Sequence, residues 1–295
     1  MKISALKKAC RSAAEGVPLS RLPGLAVTAA AVVSAGALPL LLLRPGVASV
    51  RKRAPFQNRN YAHRGLHSVD RQVPENSLAA FRAAAAAGYG MELDVQLSRD
   101  GRVVVFHDDT LERVCGVEGR VEDQSWDALR RLRLCGTEER IPLFSEVLAA
   151  VDGAVPLIVE LKSGSRNREL CEKTRAMLDG YRGDACVESF HPGIVAWFRF
   201  HAPEYLRGQL AMPAGRYVNA GHSRASAFVL GNTFCNFLAK PEFIAYALGP
   251  RPLAVRTAER MGAMRFGWTS HNPAAEKGRD AVIFEYYRPA ARYRR

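Results

Sequence analysis

The chain has 295 residues, 48% of them apolar and 24% charged, with a formal net charge of +13. One large core fits that length, so a second domain is not required, and six cysteines without tight spacing exclude a disulfide-dense secreted scaffold. The charge lies at the ends: residues 1–53 hold nine Lys/Arg against Glu15 alone, the last ten residues hold four Arg, and 54–285 carry 29 basic and 28 acidic residues, which argues against a nucleic-acid-binding face on the body.

From Leu22 to Leu43 no side chain is charged, and these 22 residues make about 33 Å of helix, enough for one membrane span. The stretch reads as one N-terminal transmembrane anchor within a basic leader, residues 1–53. Its flanking cations can meet anionic headgroups at roughly 1 kcal/mol each. A cleaved signal peptide is the alternative; the long charged part and the lack of a small-x-small cleavage site speak against it. Lys2, Lys7, Lys8, Arg11 and Arg21 on one side face Arg44, Arg51, Lys52 and Arg53 on the other, so charge does not set the orientation. Cys10, Cys115, Cys135, Cys171, Cys186 and Cys235, read as reduced thiols, lean toward a single-pass membrane protein with a cytoplasmic catalytic domain.

Beyond a basic juxtamembrane stretch at 44–59, short apolar runs alternate with helical patterns. The predicted strands are Tyr61–His63, Met91–Leu97, Val103–His107, Leu157–Lys162, Cys186–Phe190, Leu206–Leu210, Met264–Trp268 and Ala281–Glu285. Between the first two, "PENSLAAFRAAAAAG" predicts a helix with Asn76 or Ser77 as N-cap and Gly88 at its left-handed end. Residues 108–145 read as an insertion closing in "EVLAAV", the start of a regular barrel helix, whereas 215–250 predict only a strand and helix of uncertain bounds. Eight strands with helical connectors over 54–295 predict an α/β fold, a closed (β/α)8 TIM barrel with a small insertion after the third strand.

In "MELDVQL" alternation sends Glu92 and Asp94 to one face, roughly 7 Å apart, and Leu93 and Val95 to the other. "LIVELK" repeats the pattern with Glu160 and Lys162. If both are barrel staves, three carboxylates meet at the carboxyl-terminal mouth and require a cation, Ca²⁺ or Mg²⁺ by ligand type; amphipathic surface strands are the bland alternative. His63 in "YAHRGLH" and His107 in "VVVFHDDT" would emerge at the same mouth as a proton-exchanging pair, with Arg64 and Lys162 as phosphate donors. The spacing of His63 and His67 superficially matches a helical zinc pair, but Gly65 and the missing glutamate weaken that reading.

In this order, "HRG" (63–65), "PENS" (74–77), "ELDVQLSRDG" (92–101), "VVFHDDTLERV" (104–114), "VELK" (159–162), "SF" (189–190) and "WT" (268–269) resemble the glycerophosphodiester phosphodiesterases. The resemblance implies a barrel, a divalent cation on Glu92, Asp94 and Glu160, His63 and His107 as the acid-base pair, and Arg64 and Lys162 on phosphate. It places Phe190 and Trp268 at the wall of the substrate pocket. For Glu75 it leaves two roles, orienting Arg64 or favouring a helix N-terminus. The implied substrates are glycerophosphodiesters, or lysophospholipids given the anchor, hydrolysed by water or through a cyclic phosphate. A silent lipid-binding relative is the rival from another class. The chain departs from the family pattern in "WTSHNP", with His271 and Asn272, and in a last strand ending "AVIFE", with Glu285 in place of Asp.

Overall fold

A computed structural model describes residues 40–294. The predicted anchor at 22–43 lies outside the described residues except for its last four, and among the described residues no helix is long and apolar enough to cross a membrane.

Nine strands form: β1 Arg59–Ala62, β2 Gly90–Leu97, β3 Val103–Val105, β4 Leu157–Leu161, β5 Ala185–Ser189, β6 Leu206–Ala211, β7 Phe243–Ala247, β8 Met264–Ser270 and β9 Ala281–Phe284. Eight of them pair in parallel in the order β1-β9-β8-β7-β6-β5-β4-β2, and β1 pairs with β2 to close the barrel. The fold is a (β/α)8 TIM barrel.

One predicted stave is not one. β3 runs antiparallel to β2, with Val95 opposite Val105. Only residues 98–102 separate the two strands, and a parallel crossover needs a dozen or more; Gly101 at φ 77° makes the tight turn instead. The eighth stave is β7, hidden in the stretch 215–250 for which no strand bounds were predicted. Its Phe243 and Ala245 point into the barrel and its Ile244 and Tyr246 toward the helices, an alternation masked by the apolar run before it.

The helix Leu78–Ala86 (α1) starts where predicted: Ser77 is the cap, its Oγ accepting from the Ala80 backbone, and Gly88 takes φ 73° just past the end. The insertion packs Leu111, Val121 and Leu129 against Val104 and Phe106 of the β3 arm, and the helix Phe144–Val151 (α2) follows it. Asn167–Asp179 (α3), Pro192–His201 (α4) and Leu253–Arg260 (α5) cover the other staves, and the β8–β9 link is only a short 3₁₀ turn, Pro273–Glu276. Outward-facing Met91, Leu93, Val95, Val159 and Leu161 pack against this shell.

Inside the barrel the lower layer is apolar: Tyr61, Ile158, Cys186, Leu206, Phe243, Met264 and Ile283. Its floor is laid by the stretch read as juxtamembrane. Ala48 and Phe56 join the interior cluster, the Gly46 N–H donates to Pro241 O at 2.9 Å, and Lys52 Nζ stands 2.6 Å from Glu242 Oε2. The compact unit that contains the barrel spans Leu43–Arg295 and so takes in this stretch.

Candidate active site

Above that apolar layer the inward positions turn polar: Ile158 is followed by Glu160 on β4, Cys186 by Glu188 on β5, and Glu92 by Asp94 on β2. Parallel register sets Asp94 beside Glu160 and Glu160 beside Glu188. Glu92, Asp94 and Glu160 are all buried, and one carboxylate oxygen from each lies within 4.8 Å of the others. Strand pairing between stretches more than 60 residues apart thus crowds three carboxylates into one place.

The basic residues reach the same point from the strand ends. Lys162 Nζ donates to Glu160 Oε1 at 2.8 Å and stands 3.4 Å from Asp94 Oδ1. The Arg64 backbone N–H donates to Glu92 Oε2 at 3.0 Å, its Nη1 to Glu75 Oε1 at 2.7 Å, and its Nε is 3.6 Å from Asp94 Oδ2. Of the two roles left for Glu75, the structure shows the contact with Arg64; Arg113 from the insertion holds the same carboxylate with two further bonds at 2.7 Å.

Each histidine is held by one ring nitrogen. His63 Nδ1 lies 2.9 Å from Glu285 Oε2, and His107 Nδ1 lies 2.6 Å from Asp108 Oδ1. That leaves the Nε2 atoms free of these carboxylates. His63, His107, Arg64, Glu92 and Glu160 line one cavity of about 150 Å³ together with Glu188, Phe190 and Trp268. Phe190 and Trp268 meet edge to face at 5.5 Å, and the Trp268 indole donates to Ala245 O, so both rings are fixed in the wall.

Burial pushes the Glu92 carboxyl well above the ordinary range, and crowding by Asp94 and Glu160 adds to it; Glu160 and Glu188 are likewise raised chiefly by burial. Burial would raise Asp94 too, but the charges of His107, Lys162 and Arg64 outweigh it and hold Asp94 below its usual range. Burial lowers His63, so its imidazole stays neutral further into acid. With only Arg64 and Lys162 as cationic side chains among four buried carboxyl groups, the fully ionised site lacks counter-charge, which is what the raised values of Glu92, Glu160 and Glu188 express. Asp94 Oδ1 and Glu188 Oε2 are buried without a hydrogen bond. An all-oxygen donor set with surplus charge fits a hard divalent cation.

Several residues of this arrangement were not read from the sequence, among them Asp108 beside His107 and Arg113 on Glu75. Glu188 was legible in principle, since "CVES" alternates as β2 and β4 do. Glu285, a departure from the family pattern in the sequence, is the partner of His63. Asn76, half of the uncertain cap, instead turns to φ 54° and donates from Nδ2 to Asp94 Oδ2 at 2.8 Å, so the neighbouring letters of "PENS" do three different jobs.

Fold and site together define a TIM-barrel protein whose carboxyl-terminal mouth carries an acidic, histidine-flanked centre. The chain belongs to the Glycerophosphoryl diester phosphodiesterase family, which matches residues 63–286. Among curated relatives, a glycerophosphodiester phosphodiesterase from Bacillus altitudinis is 34% identical over 164 residues, 52% of this chain and 66% of that protein. A lysophospholipase D from Rattus norvegicus is 33% identical over 156 residues, 48% of each chain. The matched segments therefore span between about half and two thirds of these relatives. Among solved structures, an Oleispira antarctica phosphodiesterase in complex with the product sn-glycerol-3-phosphate superposes with a TM-score of 0.64 at 22% identity, covering 79% of this chain and 94% of that one. A Thermotoga maritima glycerophosphodiester phosphodiesterase gives 0.56 at 25% identity, over 76% and 93%.

Proposed function

We propose that the barrel hydrolyses glycerophosphodiesters to glycerol phosphate and an alcohol, using one divalent cation, Ca²⁺ or Mg²⁺, held by Glu92, Asp94 and Glu160. The observation that carries this reading is the clustering of those carboxylates where His63, His107, Arg64, Glu92 and Glu160 line one cavity, with Lys162 held on Glu160 and beside Asp94. Bound there, the cation supplies Lewis-acid stabilisation of the negative phosphoryl oxygen. The chain's own groups do the rest. Arg64 and Lys162, already oriented by Glu75 and Glu160, bind the phosphodiester. Glu285 and Asp108 fix the rings so that Nε2 of one histidine takes the proton of the nucleophile and Nε2 of the other protonates the leaving alcohol. Water and the substrate's own glycerol hydroxyl are the two nucleophiles this arrangement serves. The apolar wall of Phe190 and Trp268 supports a second substrate, lysophospholipid, hydrolysed at its headgroup. In the same reading residues 22–43 anchor the protein as a single-pass span with the barrel in the cytoplasm, where the free thiols Cys115, Cys135, Cys171, Cys186 and Cys235 stay reduced.

The test uses the full-length protein in mild detergent with glycerophosphocholine or lysophosphatidylcholine and added Ca²⁺, Mg²⁺ or chelator. Both substrates release choline, so the phosphate product is identified as well. Cation-dependent formation of glycerol phosphate supports the main reading, lysophosphatidic acid the second, and no product from either substrate with any cation would identify a silent binding protein. Retention of the protein in carbonate-washed membranes tests the anchor.

A further inference from the structure

Besides the carboxylate centre, one other group of metal-ligating donors converges among the described residues: His63, His67 and Glu285, whose ligand atoms all lie within 4.8 Å of one another. The spacing of the two histidines looked like a helical pair broken by glycine. They meet through a turn instead, with Gly65 at φ 78° carrying the chain around. The His67 side chain is only 7% exposed, and its Nε2 is buried, makes no hydrogen bond and points to Glu285 Oε2 at 3.5 Å. His271 brings a third imidazole, its Nε2 3.8 Å from Glu285 Oε1, and both His67 and His271 rest against the Tyr286 ring. None of these contacts is needed to bind a phosphodiester.

We propose that His63, His67 and Glu285, with His271 at the rim, form a second metal site that takes Zn²⁺, and that its occupancy switches the enzyme off. Imidazole and carboxylate donors are those of zinc sites, in contrast to the all-oxygen set a few residues away. Donors about 2.0–2.1 Å from a tetrahedral ion stand roughly 3.3 Å apart. Here the Glu285 oxygen is 2.9 Å from His63 Nδ1 and 3.5 Å from His67 Nε2. The inhibition follows from the tautomer, and this part rests on the hydrolase reading. With Nδ1–H donated to Glu285, the lone pair of His63 Nε2 is free to take a proton. A metal on Nδ1 uses that nitrogen's lone pair, so the single proton of the neutral ring sits on Nε2, which can neither take a proton as the base nor, short of forming an imidazolate, give one up as the acid.

The experiment uses the full-length protein with excess Mg²⁺ to fill the carboxylate centre. Zn²⁺ binding is followed by calorimetry and Co²⁺ binding by its visible absorption. One equivalent of Zn²⁺ should bind despite the Mg²⁺, and Co²⁺ should show the intense bands of a low-coordinate site. His67→Gln should weaken Zn²⁺ binding by at least the roughly 10- to 100-fold that loss of an outer-shell partner costs. Its Mg²⁺-supported turnover without zinc should be unchanged, and its half-inhibiting Zn²⁺ concentration should rise by the same factor as the binding constant. His271→Ala, at a largely exposed position, should give a smaller shift in the same direction and decides the matter if His67→Gln does not fold. Failure to bind Zn²⁺ in the presence of Mg²⁺, or wild-type Zn²⁺ affinity in both variants, overturns the site. Zinc binding that follows His67 in a protein with no turnover supports the site while removing the hydrolase reading.

Discussion

At the residue scale the centre depends on charges that tolerate one another only in combination. Asp94 is fully buried, held by Asn76, Arg64 and Lys162, and pulled below its ordinary range by its cationic neighbours. Asp94→Asn keeps the shape and removes the charge, so cation-dependent turnover should fall on the order of 10³-fold, several kcal/mol of lost electrostatic stabilisation, while the melting temperature changes little. Chelator-resistant turnover at the wild-type rate would contradict the assignment. Alanine at His63 or His107 should cost roughly 10²- to 10⁴-fold in kcat with cation binding retained by calorimetry. Glu285 touches no substrate in this scheme and is a positioning residue for His63. Glu285→Gln should lower kcat by roughly 10- to 100-fold with KM nearly unchanged, and Glu285→Asp should recover part of it. A loss in KM alone would instead place Glu285 against the substrate. His63, Glu92, Asp94 and Glu160 were all legible as letters on alternating strands. The partner of His63 was not, because Glu285 lies 222 residues away and no local pattern joins them.

Among the elements, the insertion is tied to the mouth through one carboxylate. Glu75, at the entrance to α1, bridges Arg64 behind β1 and Arg113 of the insertion. Burial would raise Glu75, but the two guanidinium groups outweigh it and bring it to about 2 from an ordinary 4.5. A depressed carboxyl stabilises the fold fully above its unfolded value and loses that contribution as pH falls through its folded value. Acid unfolding between pH 4.5 and 2 should therefore include about 2 kcal/mol from this bridge, reduced from the full linkage value because Arg113 is partly exposed. Urea titrations of Glu75→Gln should show a flatter pH dependence in that window; an unchanged slope would mean the bridge adds nothing. On β6 and β7 the packing is tighter still. A Cβ on Gly208 would stand 2.0 Å from the Phe243 ring, which is stacked at 4.2 Å on Phe266. Gly208→Ala should destabilise the protein by about 2–3 kcal/mol in chemical denaturation. The misassigned strand Val103–His107 belongs to this scale: its composition was right for a strand, and only the length of the preceding turn distinguished a hairpin arm from a stave.

For the whole molecule, stability and chemistry occupy opposite ends of the barrel. The floor, with Phe56 only 4% exposed, packs against Tyr61 and the lower apolar layer, below the carboxylates at the mouth. Phe56→Ala should cost about 3–4 kcal/mol and lower the melting temperature, yet leave kcat at low temperature near wild type; a large fall in kcat would show that floor and mouth are coupled. Alternation along each strand, turn and cap residues, and the apolar share suffice by themselves to specify an α/β barrel and to say which side chains face inward, because those are properties of contiguous residues with a period of two. Which strands become staves, which carboxylate holds which histidine, and that a basic stretch after the leader serves as the barrel floor were decided only by the closed sheet. Its register sets the distance between residues far apart in the chain, and no spacing along the sequence encodes that distance.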